Sequence, residues 1–150
     1  MAKFVFKMEN ILEIKRKLEE QAKIAYAEAL AALAEQERIL SELKDKRHEY
    51  EMRLTGEIQS VLKIDDIRTL DSAIEVMKYK IQVQIGQVEQ AKVVVERARV
   101  ALQSAAVERK TYEKLKEKAF EEYKKELNIQ EKKEIDELVS YTYGVREEIE

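Results

Sequence analysis

Apolar residues recur at alternating three- and four-residue steps from Ile67 to Tyr123. The positions are Ile67, Leu70, Ile74, Met77, Ile81, Gln84, Val88, Ala91, Val95, Ala98, Leu102, Ala105, Arg109, Tyr112, Lys116, Ala119 and Tyr123. Only Gln84, Arg109 and Lys116 are strongly polar breaks in this stripe. A 3.5-residue repeat sustained this long predicts a coiled-coil seam rather than an ordinary globular helix. Such a stripe needs a partner, because a lone helix would leave it in water. The preceding half of the chain supplies one through Ile11, Lys15, Leu18, Ala22, Ala25, Ala29, Ala32, Gln36, Ile39, Leu43, Lys46 and Tyr50. Its alanine-rich middle, residues 22–34, permits close approach of the two backbones, with the larger Val88, Val94 and Val95 opposite.

The expected fold is all-α: an antiparallel two-helix coiled-coil hairpin, with a shorter first helix and a longer second helix that overhangs. Residues 1–7 read as an irregular lead-in, helix one as about 9–54, the turn as about 55–60, and helix two as about 61–141 with a frayed tail, all in one domain over 1–150. Gly56 is the expected left-handed stop. Ser60 or Asp65 would cap the next helix, with Asp65 and Asp66 at its positive end. Gly86, inside helix two, reads as close packing or a mild kink. Helix one would then be about 70 Å long and helix two about 120 Å. Folding back from Gly56 puts the start of helix one beside about Ala105. Beyond that point Tyr112, Leu115, Phe120, Tyr123 and Leu127 form a partial apolar stripe. Two readings of it stand: an external partner docks there, or Phe4 and Phe6 fold over part of it and the rest is solvated.

Composition supports helices: the 150 residues include 3 Gly and no Pro, and 39% are charged. The 28 Lys and Arg nearly cancel the 31 Asp and Glu, and they are interleaved, so no basic field gathers phosphates and nucleic acid is not an expected partner. The absence of Cys excludes disulfides and thiolate metal sites and fits the cytosol. No uncharged run exceeds about ten residues, against the roughly 20 needed to span a bilayer. A soluble chain without a secretion signal or direct membrane insertion is expected.

Little in the chain points to catalysis. The one histidine, His48, lies between Arg47 and Glu49 on a solvated face and cannot by itself form a triad or metal cluster. The carboxylates alternate with Lys and Arg at helical spacing, as Glu113 does with Lys116. A carboxylate catalyst needs a cleft that desolvates one acid, and a helical pair offers none. With no Gly-rich phosphate loop either, no enzyme activity, cofactor or metal is expected. Tyr26 and Tyr79 read as packing residues at the seam edge. Lys3, Lys7, Lys15, Arg16 and Lys17 are interrupted by Glu13, Glu19 and Glu20, which favours a solvated face over a membrane-surface helix.

Two end motifs resemble a known family. The start, Phe4, Val5, Phe6, Lys7, Met8, Glu9, Asn10, Ile11 and Leu12, is followed by Lys17, Leu18, Glu19, Glu20, Gln21 and Ala22. The far end carries Glu108, Arg109 and Lys110, then 113–118, Tyr123 and 131–137. In this order and spacing they are similar to the flagellar export protein family FliJ. The resemblance implies a non-enzymatic, cytoplasmic part of the flagellar type III export apparatus, peripheral to the membrane, supporting flagellum assembly, motility and chemotaxis. It implies a central stalk like the gamma subunit of rotary ATPases. The stalk would promote assembly and activity of the hexameric export ATPase FliI, dock on the export gate protein FlhA and handle export chaperones. Carried onto this sequence, ATPase binding falls to Arg109, Lys110, Tyr112, Lys114, Leu115 and Lys118. Gate binding falls to Leu43, Tyr50, Leu70, Ala73 and Met77, with Lys46 where an aromatic residue is expected; Leu70 and Met77 also belong to the seam. The alternatives are a structural coiled-coil dimer and a prefoldin-like chaperone or binding module, although residues 55–60 are too short to supply prefoldin's strand linkers.

Overall fold

The computed structural model describes residues 3–59 and 64–149, and among them there is no strand. Two helices make up the fold: α1, Glu9–Gln59, and α2, Ile64–Ile149, paired as an antiparallel helical hairpin. The fold class read from the seam is the fold observed. α1 begins where the pattern places it. The Phe6 carbonyl accepts the Glu9 N–H at 3.2 Å and the Met8 carbonyl accepts the Leu12 N–H at 3.0 Å. These turns tie up amides that a helix start otherwise leaves open.

The end of α1 differs from expectation. Gly56 does not stop the helix: α1 continues to Gln59, and no glycine among the described residues has positive φ. A glycine ends a helix only where the chain turns left-handed, and Glu57, Ile58 and Gln59 are residues a helix can carry on through. Asp65 does not precede α2 as a cap. It lies with Asp66 in the first turn, where both face the positive helix end. The Ser60 alternative lies outside the described residues. α2 also runs past Tyr141 and through Gly144 to Ile149.

The chain divides into two compact units. The first to consider is Glu20–Ser104. Its core is Ala29 from α1 with Ile74, Met77, Ile81 and Val88 from α2, all at most 7% exposed. Of the expected small-against-large layer, Ala29 and Val88 are buried and Val95 is half-buried, but Val94 faces outward at 52% exposure. Gln84 is buried in this core, and its Nε2 donates to the Gln36 carbonyl at 2.9 Å and to Gln36 Oε1 at 2.7 Å. Tyr26 is half-buried at the seam, whereas Tyr79 is 72% exposed and does not pack there. Gly86 lies in open space: a methyl group built there meets nothing within 4 Å. Neither close packing nor a forced turn explains it.

The other unit joins Met1–Glu19 to Ala105–Glu150. Leu12 is its fully buried anchor. Charges crossing between the helices surround it. Lys15 donates to Glu108 at 2.8 Å, Arg109 pairs with the buried Glu19, Arg16 reaches Glu113 at 3.5 Å, and Lys116 reaches Glu9 at 2.9 Å. Beyond them Phe6 is buried, and the Phe4 ring meets Phe120 edge-on at 5.2 Å and Tyr123 at 5.5 Å. Glu9, at the start of α1, therefore lies beside Lys116, not Ala105. A pivot set too early displaces the far end of an antiparallel pair by twice the error, and placing it at Gly56 did that. Cover from α1 and the lead-in reaches Tyr123 and Glu126. Every residue from Asn128 to Glu148 is exposed. The overhang exists, but it begins after Leu127.

Candidate partner-docking site

The residues expected to meet an ATPase all lie on α2 in the unit that carries the overhang. The structure separates them into two groups. Arg109 and Tyr112 face the α1 seam and are half-buried. Arg109 donates to Glu19 and, at 2.7 Å, to Glu113. These acceptors, Glu19 first, hold its guanidinium above its ordinary pKa. The Lys15 ammonium stands 6.0 Å from the Tyr112 ring centroid, and its hydrogen bond to Glu108 raises its pKa. Lys110, Lys114, Leu115 and Lys118 form the other group and are exposed. Lys110, Lys114 and Lys118 repeat at four-residue spacing, so they share one face of α2. A partner can touch this second group without opening the helix pair.

South of Leu127 on the chain, α2 presents Ile135, Leu138 and Val145 at exposures of 59%, 66% and 36%. Their spacing places them on one side of the helix. Tyr141 and Tyr143 are 73% and 64% exposed. A helix segment this apolar, exposed throughout and uncovered by any described residue, has the character of a docking element.

The residues expected to meet a gate protein lie in the unit Glu20–Ser104. Leu43, Tyr50, Leu70 and Ala73 are half-buried, and Met77 is buried at 7% exposure. They line the helix–helix seam more than an outer face. Leu43 borders a shallow groove with Tyr79, Lys80, Val83 and Gln84, and the exposed Tyr79 is the member that a sequence reading as a packing residue passed over. The seam partners Glu9 and Glu19 were also passed over. Reading the two helices in opposite directions reveals them, since Glu9 and Glu19 then meet Lys116 and Arg109.

His48 is exposed. Among the described residues no three His, Cys, Asp or Glu side chains are placed to hold a metal ion, and no helix is long and apolar enough to cross a membrane.

The model of the family described as "Flagellar FliJ protein" matches residues 4–148. The chain belongs to the FliJ family. No curated protein matches it. Among solved structures it is similar to a protein described as a YscO homolog from Chlamydia trachomatis. The two are 21% identical with a TM-score of 0.63, and the match covers 99% of this chain and 100% of that one. At that identity the likeness speaks for the fold alone. As a FliJ-family member the chain is a component of flagellar type III export, and the family is in general non-enzymatic. The paired α1 and α2 are its helical coiled coil.

Proposed function

We propose that this FliJ-family protein is the central stalk of the export ATPase, with the free end of α2 entering the FliI hexamer and promoting its assembly and activity. The observation that carries this reading is the exposed stretch 128–148, a continuation of α2 with apolar side chains and no cover from α1. A helix that needs a partner, presented beyond a paired segment, suits insertion into a ring. Lys110, Lys114, Leu115 and Lys118 are the contacts nearest the ring's mouth, while Arg109 and Tyr112 hold the helix pair in register. The unit Glu20–Ser104 docks on FlhA at the Leu43–Tyr79 groove, with Tyr50, Leu70 and Ala73 bordering the seam and Met77 acting through packing. Export chaperones are further partners in this reading, which places the protein at the cytoplasmic face of the membrane, in support of motility and chemotaxis.

The test is FliI ATP hydrolysis with added protein. Stimulation is expected with the natural chain. It should fall about tenfold, roughly 1.4 kcal/mol of coupling, when Lys110→Glu, Lys114→Glu and Lys118→Glu are combined. Among the described residues these three side chains form no ion pair, so the variant should melt with the natural chain. Equal stimulation by both proteins, or none by either, counts against the stalk.

A further inference from the structure

The lead-in, residues 3–8, lies against the α2 surface that continues into the overhang. We propose that it is a displaceable strap, covering the end of the docking face in the free protein and lifting when the ring engages. The inference rests on the stalk reading and adds regulation of the same site.

The strap is held differently from the helices. Among the described residues its only backbone–backbone hydrogen bonds are accepted by the Phe6 and Met8 carbonyls, so nothing of that kind fixes residues 3–5. Side chains hold that end instead: Phe4 against Phe120 and Tyr123, with Phe6 buried behind it. Val5 between them is 77% exposed. The fit is loose. One open groove is left between Phe4, Arg16, Glu113 and Phe120, and another runs beside the strap as far as Glu126. Leu115 and Phe120 remain 39% and 40% exposed under it.

Its position gives it a role. The strap is the last cover on α2 before the exposed stretch begins at Asn128. Phe120 and Tyr123 lie about five helical turns before Leu138 and Tyr141, on the side of α2 that the exposed apolar residues of the overhang continue, so a partner that grips that side of residues 128–148 and reaches toward α1 meets both rings. The rings that bind Phe4 are then the rings it would bind. Strap and partner compete for one surface, so the affinity of the free protein is reduced by the fraction of time the strap is closed.

Two variants test this, read by the affinity for FliI. Phe4→Ala loosens the strap and should tighten FliI binding several-fold. A tether should do the opposite. The chain has no cysteine, so Phe4→Cys combined with Tyr123→Cys gives the only two thiols, which a short bismaleimide can join. The joined protein should bind FliI at least tenfold more weakly than the same variant capped with a monofunctional maleimide. If the natural chain binds FliI but loosening and tethering both leave the affinity unchanged, the strap is mere packing and the inference is overturned. If the natural chain does not bind FliI, the stalk reading fails first and the strap falls with it.

Discussion

Gln84 and Arg109 interrupt the apolar stripe of α2 for different reasons. Gln84 is buried and satisfied by one residue, Gln36, through both its carbonyl and its side chain. Arg109 sits between Glu19 and Glu113 and remains 24% exposed at its side chain. Buried polar pairs of the first kind add little net stability but penalise any register in which they lose each other. Replacing Gln84 alone with Ala should destabilise the protein by about 1–2 kcal/mol, from lost packing and a lost hydrogen bond. Replacing both, Gln36→Leu with Gln84→Leu, should be neutral or stabilising by about 1 kcal/mol. Urea unfolding of the three proteins separates these outcomes. A double variant less stable than the Ala variant would show that the pair contributes directly to stability. The residue pattern showed these breaks clearly but not their meaning. A polar residue in a seam reads as lost pairing until its opposite number is known, and that depends on where the chain turns.

For the helices, the sequence told most about α2. All of its seam positions from Ile67 to Tyr123 are buried or half-buried. On α1 every seventh position held, from Lys15 through Ala22, Ala29, Gln36 and Leu43 to Tyr50, and so did Ile39, but the other intervening positions moved by one residue. Leu12, Glu19, Tyr26, Leu33 and Arg47 face the seam where Ile11, Leu18, Ala25, Ala32 and Lys46 were expected. The order of the three- and four-residue steps is what differs, and on a helix rich in alanine both orders look equally apolar. Composition could not show whether a glycine stops a helix either. Gly86 is helical, without positive φ, and a methyl group there meets open space. Gly86→Ala should therefore stabilise the protein by about 0.5–1 kcal/mol, measured as a raised denaturation midpoint with an unchanged slope.

The helix surfaces also predict a pH response. Arg38 holds Glu35, and Arg99 holds Glu96, below the ordinary carboxylate range. Their contribution is full above about pH 4.3, the ordinary Glu value, and is lost as pH falls through the lowered values. Lys15 is shifted the other way by Glu108. Its contribution is full below about pH 10.4 and is lost as pH rises through the raised value. Glu35 and Glu96 are exposed and Lys15 is only half-buried, so the losses should be small and shrink in high salt. Melting temperature should be level between those limits and fall beyond both, with the smaller fall in high salt. A steep loss between about pH 5 and 9 would point to some other titrating group.

At the scale of the molecule, the overhang is the part of the fold that pairing of α1 with α2 does not account for. Its residues 128–148 carry no load for the pairing of α1 with α2, since all are exposed. This stretch extends a helix that is already nucleated, but with no buried face behind it only near-neutral propagation holds it, so it frays far more readily than the paired part. Its backbone amides should therefore exchange with solvent far faster than those around Leu12 or Ile81, which lie in the two cores. A chain ending at Leu127 should melt at the same temperature as the full chain. Both expectations come from this structure alone. The proposed stalk role adds a third expectation: if an ATPase ring closes around the overhang, slowed exchange should be concentrated in residues 128–148. The segment would change from the least protected part of α2 to one of the most protected. Protection confined to Glu20–Ser104 would instead mean that the ATPase meets the protein elsewhere, and the length of α2 beyond its partner would then need another explanation.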